Sequence, residues 1–329
     1  MTDAVRADSF HTAGLDPASV AAFLRDHLAE RVEAVERIGH GEWSKAFSFR
    51  RGDGAYVVRF SPIAEDFLKD RRAMSHASAA LPVPAILDVG EAFGGFYAIA
   101  ERATGDFLER LDGAGLRRLL PALFAALDAA RRVDLSATNG YGLWRGDGSA
   151  PHATWRDALL DIANDRPTNR THGWRRRLEA SAVGPAAFDA AFDRLTALVD
   201  ACPDARHLLH SDLLNYNVLV AVDRVTAVLD WGSSLYGDFL FDLAWLTFWQ
   251  PWFPAWADVD LRQEARDHYA AIGLEVPRFE ERLRCYELYI ALDGMAYQAF
   301  RGHWSDLEAT ADRTLVGLAH AGTFPSDTR

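Results

Sequence analysis

The sequence predicts an α+β fold of two lobes, a small sheet-rich lobe followed by a larger, mostly helical one. Two observations carry this reading. Five short runs of strand character crowd into residues 35–101, and beyond Gly105 the apolar spacing turns almost everywhere to the helical period. The third observation is scale: 329 residues, 49% hydrophobic and 25% charged, suit two domains or one large bilobed unit with a sizeable core. The expected division is 1–104 and 105–329, with a hinge near 100–104 and a ligand cleft where the lobes meet.

Residues 16–30, DPASVAAFLRDHLAE, predict an amphipathic helix. Asp16 can cap it, Pro17 suits the first turn, and Val20, Phe23, Leu24 and Leu28 share a face. The period then changes to that of strands in VERIG, KAFSF, AYVVRF, AILDVG and FYAIAE. Gly-containing turns separate them and, once, a helical stretch around EDFLKDRRAMSHASA, giving a five-stranded antiparallel sheet that carries one helix. In AYVVRF, Tyr56, Val58 and Phe60 face one side while Val57 and Arg59 face the other. Helices are expected in GLRRLLPALFAALDAARRV, WRDALLDIA, PAAFDAAFDRLTALVDA and RFEERLRCYELYIALDGMAYQAF. Two strands, VLVAV and RVTAVLD, flank a short turn at Asp223 and Arg224 as a hairpin inside the helical half.

Composition narrows the function classes. A net charge of −12 argues against nucleic acid, whose phosphates favour basic patches, and is compatible with a cationic partner. Two distant cysteines, Cys202 and Cys285, make no disulfide framework, and MTDAVRADSF lacks a basic region followed by an apolar one, so a reducing cytoplasm is expected. The apolar stretch FLFDLAWLTFWQPWFPAWA is broken by Asp242, Gln250, Pro251 and Pro254, which points to core and not to a membrane span. Within it Trp245, Trp249, Trp252 and Trp256 have the spacing of one helix face, read as core packing ahead of a substrate cage.

The segment HLLHSDLLNYNVLV, residues 207–220, sets His210, Ser211, Asp212, Asn215 and Asn217 between apolar runs. A turn explains Asp and Asn locally. Phosphoryl transfer from ATP explains more of the chain, since it requires a loop over the phosphates, a cation on them, a carboxylate at the attacking hydroxyl and two metal ligands. IGHGEWSKAFSF offers the loop, with Gly39, Gly41 and Ser44 able to meet phosphate oxygens, although a Gly-rich hairpin turn competes with that reading. Arg59 is the cation on the third strand, where protein kinases carry Lys, and Asp70 is the helix acid chosen to hold it ahead of Glu65 and Asp66. Asp212 is the hydroxyl-activating carboxylate, with Asn217 and Asp230 as Mg²⁺ ligands and His210 as a brace for the loop.

The ordered set resembles the aminoglycoside phosphotransferases, whose loop pattern His-x-Asp-x-x-x-x-Asn is met by His210, Asp212 and Asn217. The resemblance extends over most of the chain through GEWSKAFSF, FLKDRRAMSHASAALPVPAILDVGE, ATWRDALLDIA, CPDARHLLHSDLLNYNVL, VTAVLDWGSSLYGD and LTFWQPW, and departs around LDGMAYQAF and toward the C-terminus. It implies a protein-kinase-like fold, ATP and Mg²⁺ as cofactors, Asp212 as base, Asn217 and Asp230 on the metal and Arg59 on phosphate. It also implies adenine held by backbone groups of Glu101 and Ala103, Asp238 supporting the catalytic loop, and C-terminal helices lining the antibiotic site. Glu287 and Asp293, in CYELYIALDGMAY, are the acids expected to meet ammonium groups of a cationic substrate, with solvated helix acids as the competing reading. Two rivals stay open: a kinase of another small hydroxylated metabolite of the amino alcohol type, and a non-catalytic nucleotide-binding pseudokinase prompted by Arg59.

Overall fold

The computed structural model describes residues 15–40 and 43–320. Helix α1 (Pro17–Leu28) starts where Asp16 accepts the Ser19 N–H at 2.7 Å while Ser19 Oγ accepts the Asp16 N–H at 3.1 Å, a reciprocal cap with Pro17 in the first turn. Its Val20 and Leu24 are fully buried against a sheet of β1 (Glu33–His40), β2 (Lys45–Arg51), β3 (Gly54–Ser61), β4 (Ile86–Ala92) and β5 (Gly95–Glu101). The strands run in the order β1-β2-β3-β5-β4 and every neighbouring pair is antiparallel. Alternation along β3 sends Val58 and Phe60 into the apolar cluster shared with α1, Phe47, Phe49, Tyr97 and Ile99. Arg59 therefore points to the other face, where its guanidinium lies 5.2 Å from the Phe67 ring of helix α2 (Ala64–Met74).

The next segments group with this sheet. Strand β6 (Asp106–Phe107) pairs with β9 (Val218–Ala221), which forms the expected hairpin with β10 (Arg224–Val228). The Val228 N–H donates to the Pro82 carbonyl at 2.8 Å. Helix α3 (Gly113–Arg131), capped by Asp112 on the Gly115 N–H, packs beside the hairpin. By contact, one compact unit takes in residues up to Asn139, Trp144–Ser149 and Asp212–Ser234, and the other takes in Gly140–Leu143, Ala150–Ser211 and the chain from Leu235 onward. The hairpin sits with the sheet because its pairing partner β6 comes from the first half of the chain, a long-range pairing that local periodicity does not encode.

The second unit holds a small sheet, β7 (Gly142–Leu143), β11 (Leu235–Gly237) and β8 (His207–Leu209), in the order β7-β11-β8. Its helices are α4 (Trp155–Leu160), α5 (Trp174–Ala180), α6 (Ala186–Leu198), α7 (Leu240–Trp249), α8 (Leu261–Ala271), α9 (Phe279–Arg301) and α10 (Trp304–His320). Strands of two or three residues carry no readable alternation, so β6, β7, β8 and β11 were not expected. Helix α8 was not expected either, since only Leu261, Ala265 and Tyr269 are buried in an otherwise polar run. The four-tryptophan helix face is overturned. Helix α7 stops at Trp249, Pro251 and Pro254 turn the chain into two 3₁₀ turns, and Trp256 is buried while Trp252 remains 38% exposed. Among the described residues no helix is long and apolar enough to cross a membrane.

At the end of β11 the fully buried Asp238 accepts two guanidinium bonds from Arg282 of α9, at 2.7 and 2.9 Å, and one from the Tyr286 hydroxyl at 2.6 Å. A buried carboxylate satisfied this way locks strand to helix, and removing its partner leaves an uncompensated charge. Arg282→Met should cost about 3–5 kcal/mol in urea unfolding, and a loss below about 1 kcal/mol would show the pair to be dispensable.

Candidate active site

The polar loop that follows β8 is tied down at both ends. Its first turn is held by Asp242 of α7, a buried carboxylate that accepts the His210 and Ser211 N–H groups at 2.9 and 2.8 Å. Its last turn is held by Glu109, which accepts the Asn215 and Tyr216 N–H groups at 2.8 and 2.6 Å. These clamps are needed because Ser211, Asn215 and Tyr216 all have positive φ, at 58°, 124° and 63°, conformations that cost side-chain-bearing residues on the order of 1–3 kcal/mol each. Burial pushes the Asp242 carboxyl up to about 6, against the pull of its two backbone donors. The resemblance had assigned loop support to Asp238, but Asp238 is occupied by Arg282 and Tyr286, and Asp242 holds the loop. His210 is buried within that first turn.

Inside the loop, the half-buried Asp212 accepts from the Asn215 amide at 2.5 Å and from the Asn217 amide at 3.1 Å. The Asn217 Nδ2 also donates to the Asp212 carbonyl at 2.7 Å. With that nitrogen committed to Asp212, the amide oxygen is the atom Asn217 has left to offer a cation. The Leu229 N–H donates to the Asn217 carbonyl at 2.8 Å, which brings the end of β10 alongside and delivers Asp230 in a left-handed conformation with its side chain 46% exposed.

One residue on, the Trp231 N–H donates to Asp70 at 2.8 Å, and the other oxygen of the same buried carboxylate takes the Arg59 guanidinium. Arg59 also stands 3.8 Å from Asp230. Beside them Lys69, almost wholly buried, donates to the Gly232 and Ser234 carbonyls at 2.7 and 3.0 Å and lies 4.7 Å from the Trp144 ring. Of the two helix acids set aside, Glu65 accepts the Gly146 N–H at 2.6 Å and Asp66 is buried beside Gly232. Arg59, Asp70, Asp212, Asn217 and Asp230 thus come together in one unit.

The remaining expected residues fall as follows. Gly39 pairs with Ala46, and a Cβ there would meet only ordinary contact at 3.5 Å, so the backbone does not require glycine at that point. Gly41 lies outside the described residues, and Ser44 is half-buried just before β2. The Glu101 N–H is spent on the Ala85 carbonyl at 3.0 Å and the Arg102 N–H on the Ala55 carbonyl at 3.0 Å, while Ala103 is half-buried beyond the last strand pairing.

Glu287 is not the open acid that was expected. Its carboxylate is buried and accepts from Arg262 at 2.6 Å and from the Thr247 hydroxyl at 2.7 Å. Asp293, six residues further along α9, keeps a solvent-open side, while the protein atoms around it raise its carboxyl above the usual range. Sequence reading missed Lys69, Glu109 and Asp242. Only Asp242 left a signal, as a lone acid in the apolar run FLFDLAWL.

An antiparallel five-stranded sheet with one helix, followed by a polar loop and hairpin feeding an aspartate beside the sheet's cation, is the fold of the protein-kinase-like phosphotransferases. The chain belongs to the phosphotransferase enzyme family APH, whose model matches residues 34–279. It is 34% identical over 295 residues to the hygromycin-B 4-O-kinase of Escherichia coli, covering 88% of this chain and 83% of that one. In structure it matches aminoglycoside phosphotransferase APH(4)-Ia with a TM-score of 0.80 at 32% identity, over 94% of this chain and all of that one. A thermostable mutant of that protein, in ternary complex with AMP-PNP and hygromycin B, matches with a TM-score of 0.79 at 33% identity, over 93% of this chain and all of the other.

The raised pKa of Asp242 has a stability consequence with a definite sign. Between its ordinary value of 3.8 and about 6 the native protein holds a proton that the unfolded chain has released, so this group's contribution to stability falls as pH rises through that window and is flat above it. In urea unfolding at several pH values, the difference between the parent and Asp242→Asn should slope by up to about 1.4 kcal/mol per pH unit within the window. A difference that does not change with pH would mean that Asp242 ionises normally.

Proposed function

We propose that this chain transfers the γ-phosphate of ATP to a hydroxyl of hygromycin B and so protects its host from that antibiotic. The observation that carries the reading is the bonding of Asp212 to Asn217, which holds a carboxylate and an amide oxygen side by side next to Asp230. Asp212 takes the proton of the acceptor hydroxyl as its oxygen bonds to the γ-phosphorus. The bond from that phosphorus to the β,γ-bridging oxygen breaks, and ADP leaves with the electron pair. Arg59, always charged, meets phosphate oxygens while Asp70 fixes its guanidinium.

Asn217 and Asp230 would hold Mg²⁺, which would neutralise charge on the phosphates as the transfer proceeds. The donor set fits, since both ligands offer oxygen and the Asn217 amide nitrogen is already committed to Asp212. Mg²⁺ is commonly held by one or two carboxylates, with water and substrate phosphate completing its shell. Residues 1–104 would carry the nucleotide, with Gly39, Gly41 and Ser44 along the phosphates, and the Glu101 carbonyl and Ala103 N–H on adenine. Asp293 would receive an ammonium group of the substrate. The reaction would take place in the cytoplasm, where ATP is available.

Asp212→Ala should lower kcat by about 10²–10⁴-fold while binding of a non-hydrolysable ATP analogue is kept. Asp293→Asn should raise KM for hygromycin B with a smaller effect on kcat. The decisive measurement is ADP release with hygromycin B, other aminoglycosides and amino alcohols as acceptors, paired with survival of a sensitive bacterium on the drug. ADP release with amino alcohols alone would make the chain a metabolite kinase, and a failure of every acceptor to give ADP would reduce it to a nucleotide-binding protein.

A further inference from the structure

Helices α7, α9 and α10, with the segment that starts α8, line an open-sided cavity of about 470 Å³ whose lining is out of keeping with a cationic substrate. Phe248, Leu288 and Ala291 form apolar walls, Trp252 stands partly exposed, and three guanidinium groups, those of Arg262, Arg284 and Arg313, line the rest. Among the described residues that line it, the one acid is Glu287. The cavity is not the Asp293 surface. At about 100° per residue, Asp293 lies about 200° around α9 from Ala291 and about 180° from Arg284, so the helix turns Asp293 and the cavity-lining Arg284 to opposite sides.

The charges do not balance. Arg262 is shared between Glu280 and Glu287, at 2.8 and 2.6 Å, and Arg266 also pairs with Glu280. Arg284 reaches Glu287 only at 3.8 Å, and its Nε and Nη2 are buried without a hydrogen-bond partner. Arg313 has no carboxylate within 4.0 Å among the described residues. Its Nε is likewise buried and unsatisfied, and its guanidinium lies over the Phe248 and Trp252 rings at 5.2 and 5.5 Å. Four guanidinium groups thus face two carboxylates, which leaves two positive charges uncompensated. Burial weakens the hold of Arg284 and Arg313 on their protons, and Arg262 works in the same direction on both, but arginine does not discharge in proteins. Both side chains are half-buried, and guanidinium nitrogens that are out of water without an acceptor are costly and favour an anionic partner. The fold also makes room for this arrangement. Gly317 sits in α10 where a Cβ would come within 2.9 Å of the Arg284 guanidinium, so a side chain there would crowd it.

We propose that this cavity binds a small organic anion, a carboxylate or phosphate ester with an aromatic or apolar part. Arg284 and Arg313 hold the anionic group, and Phe248, Trp252 and Leu288 pack the remainder. The site is separate from the phosphoryl-transfer residues, and the inference does not rest on the function proposed for them. Aminoglycosides, being cationic, are repelled from it.

The test uses the full chain with ADP saturating, so that the nucleotide site is filled, and titrates phenyl phosphate, inorganic phosphate and benzylamine by calorimetry while tryptophan fluorescence is followed. Phenyl phosphate should bind once per chain and change the fluorescence. Inorganic phosphate should bind about tenfold more weakly or worse, and benzylamine not at all. Arg284→Met and Arg313→Gln should each weaken phenyl phosphate about tenfold or more, the loss expected for a charge-assisted hydrogen bond. If Arg284→Met fails to fold, Arg313→Gln still decides the matter, because it leaves no carboxylate without its partner. The proposal is overturned by an absence of saturable binding or by equal affinity in the folded Arg313→Gln protein.

Discussion

The site rests on one buried carboxylate. Asp70 accepts the Arg59 guanidinium with one oxygen and the Trp231 N–H with the other, so strand β3, helix α2 and the turn after β10 meet at a single side chain. Two demands coincide there. Asp70 needs charged or strongly polar partners because it is out of water, and the turn carrying Asp230 needs a fixed address because its backbone is left-handed. Lys69, the preceding residue on α2, anchors the same turn through the Gly232 and Ser234 carbonyls. Cation and acid are thus placed by the same helix, and neither is free to drift separately.

The loop of Asp212 follows the same economy. Three of its residues have backbone conformations that are unfavourable in isolation, and each strained turn is held by an acid that accepts two successive N–H groups, Asp242 at one end and Glu109 at the other. Asp242 takes the two N–H groups on separate oxygens and Glu109 takes both on one, and a charged acceptor makes the stronger bond. Strain at the loop is thereby compensated by groups that take no part in the chemistry proposed for Asp212. For Asp242 the compensation has its own cost, visible in a carboxyl that resists ionisation.

Helix α9 shows how one element can serve opposite electrostatic purposes. Arg282 neutralises Asp238 inside the core, Arg284 and Glu287 line an arginine-rich cavity, and Asp293 stays open to solvent on the other side. The helical period turns Arg284 and Glu287 away from Asp293 although they are close in sequence. An acid on this helix therefore cannot be assigned to a cationic ligand from its type alone. Glu287 and Asp293 look alike in CYELYIALDGMAY, yet one is consumed by Arg262 and Thr247 and the other is not.

By itself the sequence determined what local periodicity and order can carry: the capped helix at Asp16, the five antiparallel strands, the face to which Arg59 points, the β9–β10 hairpin, and the succession of His210, Asp212, Asn217 and Asp230 in one stretch of chain. These were legible because side-chain alternation, turn chemistry and motif spacing act between near neighbours. Tertiary structure alone decided the rest. Short strands such as β6 exist only through a partner more than a hundred residues away. Pro251 and Pro254 divided a tryptophan stripe that spacing had made continuous, and Asp242, rather than Asp238, came to brace the loop. The physical reason is the same in each case. Whether a polar group is spent or available depends on which distant donor or acceptor folding brings within about 3 Å of it, and no local pattern records that distance.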